Sequence, residues 1–226
     1  MSKNPFENYI MSKTLYEKSF EHDACGVGLV ASIDGVRTNK VLKKAIEAVV
    51  NLTHRGAVGG DKKTGDGAGV LTQLPLELFD EFLSEKDVNQ ITIGNFGVGM
   101  FFLPKKENIL HKKSLELINK IIKEHNLNLI SSREVPVDDS ALGEKALEAK
   151  PSIFQFFVTE NDFLNQDEFE RKLLLIRKTL ERESLKAKIN DFYCCSFSSK
   201  TIVYKGMLQA HQLDQFYLDL RNPNYK

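Results

Sequence analysis

One stretch, His22-Asp23-Ala24-Cys25-Gly26-Val27-Gly28-Leu29-Val30-Ala31, constrains this chain more than any other. A charged leader meets a cysteine, and the sequence turns at once into an alternating pattern. Cys25, Val27, Leu29, Ala31 and Ile33 fall on one face of an extended chain and Gly26 and Gly28 on the other, which predicts a strand beginning at Cys25. The bare face lets a ligand or another backbone come close. Upstream, residues 1–24 hold two possible starts, Met1 and Met11, and no apolar run able to act as a secretory or membrane segment. They read as a leader, with a disordered tail as the plainer alternative. Cutting the Ala24–Cys25 peptide bond would put a thiol and a free α-amine on one residue, a nucleophile beside its own base.

Composition permits a reactive-thiol protein and excludes other classes. The chain has 226 residues, 42% of them apolar, enough to bury the core of one domain or most of one. Lys+Arg and Asp+Glu both number 31, so no net field favours nucleic acid. Neither a nucleic-acid nor a membrane role is expected. Cys25 and the adjacent pair Cys194-Cys195 have neither the spacing of a disulfide framework nor that of a metal knuckle. A reducing cytoplasm is the expected setting and no metal is expected.

Periodicity divides the rest into elements. Asp34-Gly35 marks a turn, and Thr38 and Asn39 can cap a helix over residues 40–53 whose stripe is Leu42, Ala45, Ile46, Val49, Val50 and Leu52. The helix is expected to end near His54-Arg55-Gly56, with Gly56 in the left-handed conformation. Strands are predicted over residues 68–74, 95–103, 127–133 and 153–159. In the second of these, Phe96, Val98, Met100 and Phe102 lie opposite Gly97 and Gly99. Helices are predicted over residues 76–83, 105–125, 166–184 and 213–220, and a hairpin over 192–205 turning at Ser198-Ser199-Lys200. Residues 134–151 are expected as a connection and residues 221–224 as a turn. These patterns support an α+β fold.

Several chemical motifs have bland readings. Gly65 is followed by Asp66 rather than the lysine of a phosphate loop, so residues 59–69 are a glycine-permitted connection. Asp138 and Asp139 point to opposite faces of an extended chain and do not form a catalytic pair. Cys194 and Cys195 on one strand should face inward and outward, as small hydrophobes. Arg55 at a helix C-terminus is favourable on electrostatic grounds alone, and His54 reads equally as a packed imidazole.

The order Cys25-Gly26-Val27-Gly28, then Asn51-Leu52-Thr53-His54-Arg55-Gly56-Ala57, then Gly65-Asp66-Gly67-Ala68-Gly69, resembles the start of glutamate synthase large subunits and, more broadly, the class II glutamine amidotransferases. Residues 96–104, 133–138 and 198–207 continue the likeness. The resemblance implies a four-layered αββα sandwich of the N-terminal-nucleophile hydrolase type, incomplete at its C-terminal end. It implies a propeptide over residues 1–24 and the first part of a glutaminase domain over residues 25–226. Cys25 is then the nucleophile, Ala24 and Cys25 flank the cleavage, Arg55 and Gly56 line the pocket, and Asp66 and Gly67 help position it.

The implied chemistry is hydrolysis of L-glutamine to glutamate and ammonia. The α-amine of Cys25, with a reference pKa of about 7.7–8.0, accepts the proton of a thiol whose reference value is about 8.5. The thiolate attacks the side-chain amide, ammonia leaves, and water hydrolyses the γ-glutamyl thioester. In such synthases FMN and an iron–sulfur cluster serve the remainder of the large subunit, and this chain is expected to hold no cofactor. The Asn-Gly oxyanion donors and the substrate-gripping residues of similar enzymes have no match before Lys226. Losing one oxyanion donor typically costs roughly 10²–10³ in rate. The isolated chain is therefore expected to be a poor glutaminase that needs the remainder of a large subunit or a complementing chain, with a truncated, non-catalytic interaction or regulatory module as the alternative.

Overall fold

Alternation in residues 96–103 produces a strand covered on both sides. The computed structural model describes residues 26–91, 94–160 and 165–226, and the leader, Ala24 and Cys25 lie outside them. Within the described residues β1 is Ala68–Gln73, β2 Phe96–Leu103, β3 Leu127–Glu134, β4 Ser152–Glu160, β5 Tyr193–Ser198 and β6 Thr201–Gly206. The three long helices are α1 (Asn39–Asn51), α2 (Ile109–Glu124) and α3 (Gln166–Lys186). The strands form two antiparallel sheets, one in the order β3-β4-β2-β5 and one of β1 and β6.

Each face of β2 feeds a different core. Phe96, Val98 and Met100 join Val70 of β1, Ile202 and Tyr204 of β6, and Leu42 and Ile46 of α1. Phe101 and Leu103 join Ile118 and Ile122 of α2 and Leu173 and Ile176 of α3. The glycine face serves close approach as its pattern suggested: a methyl group at Gly97 would lie 2.9 Å from Leu173 Cδ1 and 3.3 Å from Phe169 Cζ, so those side chains of α3 would have to shift to admit a larger residue there. Both covering helices start on side-chain caps. Asn108 accepts from Leu110 N–H, and Asn165 and Glu168 form a reciprocal capping box. The lysines of α2 face outward, as its periodicity required. The molecule is thus α+β, with antiparallel sheets and packed helices.

Tertiary structure corrects several expectations. β5 and β6 do not form a hairpin, because the chain changes sheets at Ser199-Lys200. Ser198 Oγ accepts from the N–H groups of Lys200 and Thr201 at 3.0 and 3.1 Å, while Glu170 of α3 accepts from the Ser198 hydroxyl and the Ser199 N–H. Side chains satisfy the groups that a hairpin would have paired, and β6 is free to join β1. Cys194 and Cys195 do project to opposite faces, yet both are buried, since β5 is covered on each side.

The segment after Cys25 is not a strand: residues 26–31 carry no strand assignment and, among the described residues, no backbone hydrogen bond. A strand needs a neighbouring main chain, and among the described residues none is hydrogen-bonded to residues 26–31, whose glycine side rests against Ala48, Leu52 and Arg55. The turn at Asp34-Gly35 does form, with Gly35 at φ +69° and its N–H on the Ser32 carbonyl at 3.3 Å. Residues 134–151 contain a turn at Asp139–Ala141 and a short helix, Glu144–Ala149, that the pattern did not reveal. The expected helix over 213–220 is broken after Phe216, where Tyr217 bridges to Val137. The helix expected over 76–83 spans Leu76–Phe79.

Candidate active site

α1 and the loop that follows it deliver the first part of the site. Its stripe holds it on the core through Leu42 and Ile46, and Asn39 donates to the carbonyls of Asn222 and Tyr225 at 3.1 and 3.0 Å, fixing the other end of the helix to the end of the chain. The helix closes by tightening into a 3-10 turn, Thr53–Arg55. Gly56 therefore has no need of the left-handed region and sits at φ −97°. Its small size matters for another reason: a methyl group there would lie 3.3 Å from Asp66 Oδ1. His54 turns away from this face and bonds through Nδ1 to the Asn51 carbonyl at 3.1 Å.

The loop carrying Asp66 and Gly67 is fixed by its own turn and by two distant segments. Asp61 accepts from the Thr64 hydroxyl, from Thr64 N–H at 2.8 Å and from Lys63 N–H at 3.1 Å, and these bonds hold its carboxyl well below the usual range. Gln212 Nε2 donates to the carbonyls of Lys63 and Ala141 at 2.9 and 2.8 Å. Gly65 lies so close to residue 208 that a methyl group would fall 2.2 Å from the Leu208 carbonyl carbon. Docked in this way, the loop sets Asp66 N–H on the Ala57 carbonyl at 3.2 Å and leads through Gly67, at φ +148°, into β1.

Gly26, the residue after Cys25, completes the arrangement. A methyl group on it would lie 3.2 Å from Arg55 Cγ and 3.3 Å from Leu52 Cβ, so the chain leaving Cys25 runs against the Arg55 side chain. Gly26, Arg55, Gly56, Asp66 and Gly67 all line one cleft of about 1040 Å³. Every nominated residue that is described therefore meets at one place, and the two that are not, Ala24 and Cys25, immediately precede Gly26. Asp138 and Asp139 lie elsewhere: Asp138 caps Ser140 N–H at 2.9 Å and Asp139 pairs with Lys150 at 2.6 Å. Sequence reasoning passed over Lys205, which also lines the cleft and whose Nζ donates to Tyr193 OH at 2.6 Å. Only its place at the end of β6, beside the glycine-rich start of β1, hinted at it.

Buried thiols are ruled out as alternatives to Cys25 in this cleft. Burial pushes the Cys194 thiol far up and that of Cys195 up to about 11. Among the described residues no group of three or more His, Cys, Asp or Glu could hold a metal ion, and no helix is long and apolar enough to cross a membrane.

The sequence matches the class II glutamine amidotransferases over residues 25–226. The chain belongs to this family. It is 40% identical over 209 residues to the glutamate synthase [NADPH] large chain of Bacillus subtilis, covering 92% of this chain and 14% of that protein. It is 38% identical over 207 residues to the chloroplastic ferredoxin-dependent glutamate synthase of rice, covering 91% of this chain and 13% of that protein. The glutamate synthase [NADPH] large chain of Azospirillum brasilense is 37% identical over 212 residues, 93% of this chain and 14% of the relative. The chain thus spans 13–14% of the length of these relatives. Ferredoxin-dependent and NADPH-dependent synthases resemble it to nearly the same degree.

Proposed function

We propose that this amidotransferase is the glutamine-hydrolysing part of a glutamate synthase, working through Cys25 as an N-terminal nucleophile. The observation that carries the reading is the convergence of Arg55, Gly56, Asp66 and Gly67 on one cleft, with Gly26 packed against Arg55. The family match beginning at Cys25 supports cleavage of the Ala24–Cys25 bond and a propeptide over residues 1–24. After cleavage the α-amine takes the thiol proton, and the thiolate attacks the amide carbon of L-glutamine. The C–N bond breaks, ammonia leaves with that proton, and water cleaves the thioester to glutamate. Arg55, a rigid planar donor, orients the new N-terminus or the adjoining loop. Asp66, held beside Gly56, positions the substrate end of the cleft.

In this reading residues 25–226 are the first portion of a four-layered αββα sandwich in the cytoplasm, and ammonia serves glutamate biosynthesis in the remainder of a large chain. FMN and the iron–sulfur cluster belong to that remainder. Cys194 and Cys195 point to opposite faces of β5 and cannot ligate one cluster together. The oxyanion donors also lie in the remainder, so the isolated chain turns over poorly.

The test combines intact mass and N-terminal sequencing of the expressed protein with ammonia release from L-glutamine. The chain is assayed alone and grafted in place of the matched region of the Bacillus subtilis large chain, each with Cys25→Ala. Cleavage before Cys25 and ammonia release by the graft, lost in the variant, are expected. Release that survives Cys25→Ala removes Cys25 from the mechanism, and full turnover by the isolated chain removes the need for the remainder.

A further inference from the structure

Gln212 is 2% exposed, and the hydrogen bonds of its side chain go to main chain. Nε2 donates to the carbonyls of Lys63 and Ala141 at 2.9 and 2.8 Å, and Oε1 accepts from Gln209 N–H at 2.8 Å. One amide thus joins the loop before β1, the turn Asp139–Ala141 and the segment after β6. An amide taken out of water costs free energy unless such bonds replace the lost ones, and removing it would leave two carbonyls without this donor.

The stretch that Gln212 grips leads directly to Asp66. Residues 59–67 contain no apolar side chain, so hydrogen bonds and close backbone contact, rather than hydrophobic burial, hold this loop in place. The Lys63 carbonyl also accepts from Gln209 Nε2 at 3.1 Å, and Lys63 Nζ donates to the Ser140 carbonyl at 2.8 Å. Thr64 is buried, and its carbonyl accepts from Gly59 N–H at 2.7 Å. Gly65 then lies against the main chain of Leu208 and Gln209, the same segment that carries Gln212. Asp66 follows, its N–H on the Ala57 carbonyl at 3.2 Å and its carboxylate beside Gly56.

We propose that Gln212 is a positioning residue for the binding of glutamine: by holding the Lys63 carbonyl it sets Asp66 beside Gly56 at the substrate end of the cleft. Gln212 does not itself line the cleft and acts through the loop. The inference rests on the glutaminase reading and deepens it, naming a distant residue on which the substrate end depends. A loop that holds the substrate alike before and during bond making stabilises ground state and transition state equally. Loosening it therefore raises KM and leaves kcat in place. The effect passes through Asp66, so once the Asp66 carboxylate is removed Gln212 has nothing left to position.

Gln212→Met, which keeps the size of the side chain and removes its hydrogen bonds, tests this with two readouts. In the chain itself, the amides of Gly59 and Asp66 should exchange at least about 10-fold faster while β2 and β4 keep their protection. In the chain grafted in place of the matched region of the Bacillus subtilis large chain, the KM for L-glutamine should rise about 10-fold with kcat within about two-fold. In an Asp66→Ala background the same substitution should change KM by less than about two-fold. Gln209→Ala removes one bond to the Lys63 carbonyl and leaves Gln212 in place. It should move both readouts in the same direction by a smaller factor, and it decides the matter if Gln212→Met does not fold. The proposal is overturned if the loop amides keep their protection, if kcat falls while KM stays, or if the effects of Gln212→Met and Asp66→Ala on KM multiply, which would make Gln212 a general support of the fold. A wild-type graft that releases no ammonia would count against the glutaminase reading, and loop exchange would then decide alone whether Gln212 holds Asp66.

Discussion

Arg133 on β3 and Asp219 near the end of the chain form a forked ion pair inside the molecule. Nη1 and Nη2 donate at 3.2 and 2.5 Å to the two oxygens of a carboxylate whose side chain is 3% exposed. Arg133 Nε donates to Gln155 Oε1 at 2.8 Å, Gln155 Nε2 to Tyr204 OH at 2.9 Å, and Tyr204 OH to Asp219 Oδ2 at 2.8 Å. This closed ring ties β3 and β4 of one sheet to β6 of the other. Burial pushes the Tyr204 hydroxyl well above its ordinary pKa, so it stays protonated and donates.

Asp219→Ala should therefore destabilise the protein by about 3–5 kcal/mol, the cost of leaving a largely buried cation without its partner. Urea denaturation measures this. Replacing the pair together, Arg133→Met with Asp219→Leu, should recover much of the loss, because well-packed apolar groups are not penalised for desolvation. A loss below about 1 kcal/mol for Asp219→Ala would show the ring to be no more than a surface pair.

Gly65→Ala should cost about 1–3 kcal/mol, since the new methyl group would press on the backbone of Leu208 and Gln209, which cannot swing aside like a flexible side chain. Gly60→Ala in the same loop, where a methyl group meets nothing within 4 Å, should change stability by less than about 0.5 kcal/mol. Thermal melts of the two variants separate close approach from general loop sensitivity. Equal effects would refute the docking of this loop as the cause.

Thiol accessibility should divide the three cysteines. Cys194 and Cys195 are buried, and burial raises both thiols well above neutral pH. At pH 8 a thiol reagent should modify no more than one cysteine in the native protein and all three after denaturation, as read by mass. Rapid native labelling at Cys194 or Cys195 would contradict the covered β5.

The Asp61 turn should be acid-sensitive in a defined direction. Its carboxyl is depressed in the folded protein, first by the Thr64 hydroxyl and then by the Thr64 and Lys63 N–H groups. Such a group contributes stability that is present above its unfolded pKa of about 3.9 and is lost as pH falls through the lower folded value. Exchange of the Thr64 amide should accelerate in Asp61→Asn at neutral pH, while wild type should lose this protection only well below pH ~4. Equal protection in both proteins at neutral pH would remove the turn from the account.

Local pattern and distant contact contributed different things. Period-two runs such as Phe96–Leu103 and helical stripes such as those of α1 and α3 were legible in the sequence because backbone geometry alone sets which side chains share a face. Sheet membership was not, because a strand's pattern says which face is buried and not which strand lies alongside. Thus β5 and β6 read as a hairpin until the Ser198 and Glu170 bonds separated them. The alternation after Cys25 likewise described a strand, which cannot form without a neighbouring main chain. Arg55, Gly56, Asp66 and Gly67 were named through resemblance rather than periodicity, and no local rule brought them together. Their meeting beside Gly26 was decided by the close approach of Gly65 to Leu208 and by the tight end of α1, contacts between residues far apart in the chain whose closeness only folding creates.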